Sequence, residues 1–156
     1  MAEEQQAQAV FTIEKIYVKD LSLEVPNAPQ VFLERDTPRV DVQLSSQANA
    51  LDEGHYEVVL SVTTTATLKE KTVFLVEAKQ AGIFQVRNLP KESLDLVLSI
   101  TCPNILFPYA RETVSDSITR SGFPPFLLAP VNFEALYQQR MQQQAQPAEA
   151  APTTTH

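Results

Sequence analysis

The sequence predicts an α+β fold, a four-stranded antiparallel sheet followed by helices packed against it. Four runs of alternating apolar and polar residues follow one another between Phe11 and Gln80, and the spacing changes to a helical one after Pro90. The first run, residues 11–25, places Phe11, Ile13, Tyr17, Leu21, Leu23 and Val25 on one face and Thr12, Glu14, Asp20, Ser22 and Glu24 on the other, as a half-exposed strand requires. Pro26, Pro29 and Pro38 each remove a ladder donor, so the next stretch is expected to be a long crossing loop. Val40, Val42 and Leu44 then alternate with Arg39, Asp41 and Gln43. A turn over residues 49–54 leads into the run at 55–68, and the two form a hairpin. In that run Tyr56, Val58, Leu60, Val62 and Ala66 oppose Glu57, Ser61, Thr63, Thr65 and Thr67, a composition rich in the β-branched residues that strands favour. After a charged turn at 69–71, Phe74, Val76 and Ala78 alternate with Val73, Leu75, Glu77 and Lys79 in a strand expected to end near Gly82.

Beyond Pro90, Leu94, Val97 and Leu98 suit one short helical face, and Leu106, Ala110, Val114 and Ile118 form a four-residue stripe. Pro103 and Pro108 should break or kink this region, with Pro108 near the first turn of the second helical piece. Residues 121–130 carry Gly122 and three prolines among Phe123, Phe126, Leu127 and Leu128, an irregular loop too apolar to be freely solvated. Asn132 is placed to cap a last amphipathic helix bearing Phe133, Leu136, Tyr137, Arg140 and Met141. The domain plan is a flexible N-terminus at 1–10, one folded domain at 11–141, and a disordered tail at 142–156 built from Gln, Ala, Pro and Thr.

Composition narrows the function. A chain of 156 residues with 44% hydrophobic residues can bury a core without disulfides, and one cysteine with two histidines is too few for a structural zinc site. The net charge of −7 repels nucleic acid; it suits basic partners, or simply keeps the chain soluble. Three isolated glycines leave no phosphate-binding loop, and no cofactor or metal is expected. The acidic, glutamine-rich start is unlike a signal peptide. No apolar stretch approaches the ~18 residues that span a bilayer, so stable membrane insertion is not expected and a cytoplasmic location is. His55 at a strand start and His156 in the tail lie near no catalytic signature, and Cys102 reads as a packing thiol. Asp20 and Glu24 share a strand face, as a carboxylate pair for glycosidase or metal chemistry or as a plain solvated surface. No catalytic constellation emerges. Surplus apolar surface remains: Val73 and Leu75 on the outward sheet face, and the 106/110/114/118 stripe. It predicts self-association together with a binding groove.

Five long segments carry a family resemblance: IYVKDLSLEVPNAPQVF from Ile16, YEVVLSVTTTATL from Tyr56, FLVEAKQAGIF from Phe74, CPNILFPYARE from Cys102 and GFPPFLLAPVNFEALY from Gly122. In this order, over about residues 11–141, they resemble the SecB family of export chaperones. The resemblance implies an ATP-independent chaperone that holds unfolded preproteins, delivers them to the SecA motor ATPase, and assembles as a homotetrameric dimer of dimers. It implies a SecA-docking patch of Asp20, Glu24, Leu75 and Glu77 on the sheet. For the client groove, Phe32, Val40, Val42, Leu44, Phe126, Leu128, Phe133 and Tyr137 are expected. Assembly is expected to use Val76, Ala78 and Gln80 with the CPNILFPYARE helix and its stripe, Leu106, Ala110, Val114 and Ile118; the family often has a small or thiol residue where Val76 stands. Two alternatives stand beside this: a general cytoplasmic holdase or SecB-like stress chaperone uncoupled from export, which the acidic patch disfavours, and a small-molecule enzyme using the helix-backed sheet, which the lack of a catalytic constellation disfavours.

Overall fold

The structure, a computed structural model, describes residues 7–145. Strands β1 (Val10–Glu24), β2 (Arg39–Ala50), β3 (His55–Leu68) and β4 (Lys71–Arg87) form one antiparallel sheet in the order β1-β4-β3-β2. One continuous helical run follows: α1 (Lys91–Leu96), a π turn over Val97–Thr101, and α2 (Cys102–Arg120). The last element is α3 (Phe133–Ala145). The β3–β4 connection is a two-residue turn in which Lys69 and Glu70 both take left-handed backbone angles, φ 51° and 67°, matching the twist of the flanking strands.

Helix α2 lies across β3 and β4 and forms the core with their inner face. Val58, Leu60, Val62, Val76 and Phe84 from the sheet meet Leu106, Ala110, Val114 and Ile118 from the helix, all essentially inaccessible to solvent. Gln80 is buried among them; its Nε2 donates to the Tyr17 carbonyl at 3.2 Å, and Thr113 Oγ1 donates to its Oε1 at 3.1 Å. The residues expected at the assembly interface lie in this core. Val76, Ala78, Gln80 and the Leu106/Ala110/Val114/Ile118 stripe find their partners within the chain, and none of these side chains reaches the protomer surface. Cys102 is likewise buried, and burial pushes its thiol up to about 12, as a packing role requires.

Several boundaries differ from the sequence reading. Strand β4 runs through Gly82 to Arg87, because Gly82 is a point of close approach and not a stop. A Cβ there would lie 2.8 Å from the Phe84 ring and 3.1 Å from Leu106 Cδ2. Pro103, not Pro108, occupies the first turn of α2. The π turn just before it widens the helix, with the Cys102 N–H reaching back to the Val97 carbonyl, while Pro108 sits in the helix interior. The whole run Lys91–Arg120 is long and apolar enough by composition to cross a membrane, contrary to the sequence expectation, yet here it packs on the sheet. Helix α3 continues to Ala145, past the expected start of the tail, because Gln and Ala are good helix formers. The remainder of the tail and residues 1–6 lie outside the described residues.

Strand β1 departs from simple alternation. Bulges between Ile13 and Lys15 and between Val18 and Asp20 each insert one residue and flip the parity. Phe11, Ile13, Leu21 and Leu23 therefore share the inner face with Ile16 and Val18, while Tyr17 points outward with Asp20 and Glu24. Val73 is not outward either. It falls at the irregularity opposite Ala66 and Thr67 and is buried against the crossing loop.

Candidate functional site

Helix α2 is narrower than the sheet, so the inner face is left open along both edge strands. On the β2 side the gap is roofed by two loops, each irregular because proline forbids regular pairing. The crossing loop after β1 contributes Val31 and Phe32, and the loop after α2 contributes Phe123 and Phe126. Together with Val40, Val73 and Phe74 they line a cleft of about 440 Å³. Its walls are aromatic: Phe32 stacks on Phe123 with centroids 5.1 Å apart, and Phe123 leans on Phe74 at 5.2 Å. Gly122, at φ 95°, lets the Phe32 ring approach, since a Cβ there would meet it at 3.0 Å. Asn27 Nδ2 holds the crossing loop to the Thr72 carbonyl at 2.8 Å, and Lys69 pairs with Glu34 and Asp36 near the cleft mouth.

Along β2 the inner face continues through Val42 and Leu44 to Ser46 and Ala48. There a second pair of adjoining clefts, about 370 and 580 Å³, opens between β2, α1 and α3 over Leu98, Tyr137 and Met141. From Val40 to Ala48 this margin extends about 26 Å, at ~3.3 Å per residue. Because β2 is an edge strand, its outer backbone groups have no partner in the sheet. Of the eight expected groove residues, Phe32, Val40 and Phe126 line the first cleft, Val42 and Leu44 lie between, and Tyr137 lines the second. Leu128 and Phe133 do not line it. Both are buried in the core, Phe133 edge-on to Phe107, so they support the site from behind. The sequence reading missed Phe123 and Leu98 as lining residues, although the apolar character of the 121–130 loop was a usable signal. That loop is only partly shielded, for Leu127 is 71% exposed.

The outer face exposes Asp20, Glu24, Glu77 and Lys79, while Val59 and Ala81 near its centre are covered. Register aligns Glu24 with Leu75, Ser22 with Glu77 and Asp20 with Lys79, so the four expected docking residues do share one surface. Lys79 sits beside them, a cation the sequence reading did not weigh. Next to this patch Lys19, placed by its bulge, donates to Glu57 at 2.7 Å, and the Tyr17 hydroxyl donates to the other oxygen of the same carboxylate. Both side chains reach over β4 where its outward residue is only Ala81. Burial and the Glu57 carboxylate push the Tyr17 hydroxyl up to about 12, while the Lys19 and Tyr17 donors lower Glu57.

At the far end of the outer face His55 stands between two carboxylates, Nδ1 2.5 Å from Asp52 and Nε2 3.2 Å from Glu14, the residue placed by the other bulge. Only the imidazolium can donate to both, and hydrogen bonding to Asp52 and then Glu14 raises its pKa. A raised folded-state value contributes stability in full below the ordinary value of 6.5 and loses it as pH rises through the folded value. The resistance of the wild type to denaturant is therefore expected to fall as pH rises across that interval, and His55→Gln to flatten the dependence; parallel curves for the two proteins would refute the assignment.

A family profile described as SecB, preprotein translocase subunit SecB, matches residues 4–144. The protein-export protein SecB of Chromobacterium violaceum is 65% identical over 150 residues, covering 96% of this chain and 98% of its own length. That of Methylobacillus flagellatus is 60% identical over the full length of both chains. Among solved structures, a SecB-like chaperone of Mycobacterium tuberculosis in complex with a ChAD peptide from the HigA1 antitoxin aligns with a TM-score of 0.65 at 20% identity. The alignment covers 78% of this chain and 90% of that one, a likeness of fold.

Proposed function

The chain belongs to the SecB family of preprotein export chaperones, and we propose that it captures non-native preproteins along the β2 margin and presents its outer face to the export motor SecA. The observation that carries this reading is the apolar margin bordered by an unpaired strand edge. Aromatic and aliphatic side chains there bind without regard to direction, and an edge backbone binds any extended chain without regard to sequence. A folded protein exposes neither kind of segment, so selection falls on chains that are still unfolded, and a holding step of this type consumes no nucleotide.

The outer surface gives the motor a separate place. Asp20, Glu24 and Glu77 supply charge for a basic partner and Leu75 supplies apolar contact, on the side of the sheet opposite the groove. Self-assembly into a dimer of dimers fits the other uncovered margin. Strand β1 is also an edge, and its inner residues Phe11, Ile13, Val18, Leu21 and Leu23 are 38–46% exposed in the lone protomer. Val76, Ala78, Gln80 and the α2 stripe then act on assembly indirectly, by fixing the seat of α2. This work belongs in the cytoplasm, before translocation.

Size-exclusion chromatography with light scattering tests the reading on the protein alone and after mixing with a chemically unfolded preprotein diluted without nucleotide. A tetramer that forms a soluble complex with the unfolded chain and ignores its folded form is the expected result. A monomer that leaves the chain to aggregate would overturn it.

A further inference from the structure

Helix α3 forms one wall of the second cleft, yet it is held to the rest of the molecule by very little. Of its thirteen residues only Phe133 is buried and only Tyr137 is half-buried, while Leu136 and Met141 are 44% and 46% exposed. The two anchors are one turn apart. Phe133 inserts beside Phe107, and the helix start is capped by Asn132, whose Oδ1 accepts from the Ala135 N–H at 3.0 Å. Tyr137 lies against the cleft, and its hydroxyl donates to Asp95 Oδ2 of α1 at 2.5 Å. A helix of this length is marginal in water without tertiary support, so one charge-assisted bond in its second turn weighs heavily on its order.

We propose that Tyr137 is a positioning residue for client binding, acting through Asp95: the pair pins α3 to α1 so that Tyr137 and Met141 face Leu98 and the β2 margin before any client arrives. A wall already in place spares the client the entropy of ordering it, which strengthens binding without a new contact. Without the hydroxyl the ring still packs, but α3 beyond Phe133 is free to swing. The inference rests on the groove reading above and adds to it the requirement that the α3 end be pre-formed.

Two measurements on the full chain test it. Amide hydrogen exchange over residues 133–145 reads the pin directly, and affinity for reduced, carboxymethylated lactalbumin, which stays unfolded in buffer, reads its consequence. Tyr137→Phe and Asp95→Ala are each expected to speed exchange in α3 and to weaken binding by about fivefold, the scale of one lost hydrogen bond. The double variant should be no worse than either, and Asp95→Asn, which keeps an acceptor, should restore part of both. Faster exchange with unchanged affinity would overturn the positioning role while leaving the holdase reading intact. Unchanged exchange in Tyr137→Phe would overturn the pin itself. Should the wild type fail to bind the unfolded chain, the groove reading falls, and the positioning role falls with it.

Discussion

Leu106→Ala is expected to lower the free energy of unfolding by about 3–5 kcal/mol. Leu106 is wholly inaccessible, projects from α2 onto the sheet, and touches the one position, Gly82, where β4 has no side chain to give way. Neither the helix nor the strand can close the resulting cavity, because Pro103 and the π turn fix the start of α2 and the Gln80–Thr113 bond fixes its middle. Urea unfolding followed by circular dichroism, with size-exclusion chromatography alongside, checks the origin of the loss. If Leu106 serves the protomer core, stability falls and any smaller species is less structured. A fully stable, smaller species would show instead that the stripe meets a second copy directly.

Glu77→Lys is expected to weaken SecA docking by about tenfold or more, since it replaces attraction with repulsion at the centre of the acidic surface. Glu77 is exposed, lies between Leu75 and Lys79 on β4, and faces Ser22 across the β1 register. Adding a cation there, beside Lys79, leaves Asp20 and Glu24 facing two lysines and removes most of the local negative potential. The effect should shrink as salt rises, because exposed charges are screened over about 8–10 Å at physiological ionic strength. Client capture should be unchanged, because the groove opens on the opposite side of the sheet. Titration of SecA against wild type and variant, with an unfolded chain bound in parallel, separates the two surfaces. Equal loss of both activities would contradict the division of labour between faces.

Much of this architecture is legible in the sequence. Alternation located all four strands, and the change of spacing after Pro90 located the helices. Asn132 was recognisable as a cap, and parity along β4 put Leu75 and Glu77 on one surface. The candidate groove was half legible. Proline excluded strands from the two roofing loops and their apolar residues promised contact, and Phe32, Val40 and Phe126, grouped on that ground, line one cleft. Leu128 and Phe133 are buried in the core instead, and an apolar residue in a loop or helix reads the same whether it lines a cleft or fills a core.

What the sequence alone determined is local and periodic: which segments are strands, which are helices, and which side chains of a regular strand share a face. Such features depend on backbone preference and on spacing along the chain. Only the tertiary structure decided how those segments meet. The bulges at Glu14 and Lys19 turned Tyr17 outward, the bare backbone at Gly82 let α2 settle on β4, and the α2 stripe found its partner in its own sheet. The pairing of Tyr137 with Asp95 joins residues 42 apart. The physical reason is common to all four: a bulge, a close approach, a packed stripe and a long-range hydrogen bond are defined by the residue on the other side, and sequence spacing carries no record of it.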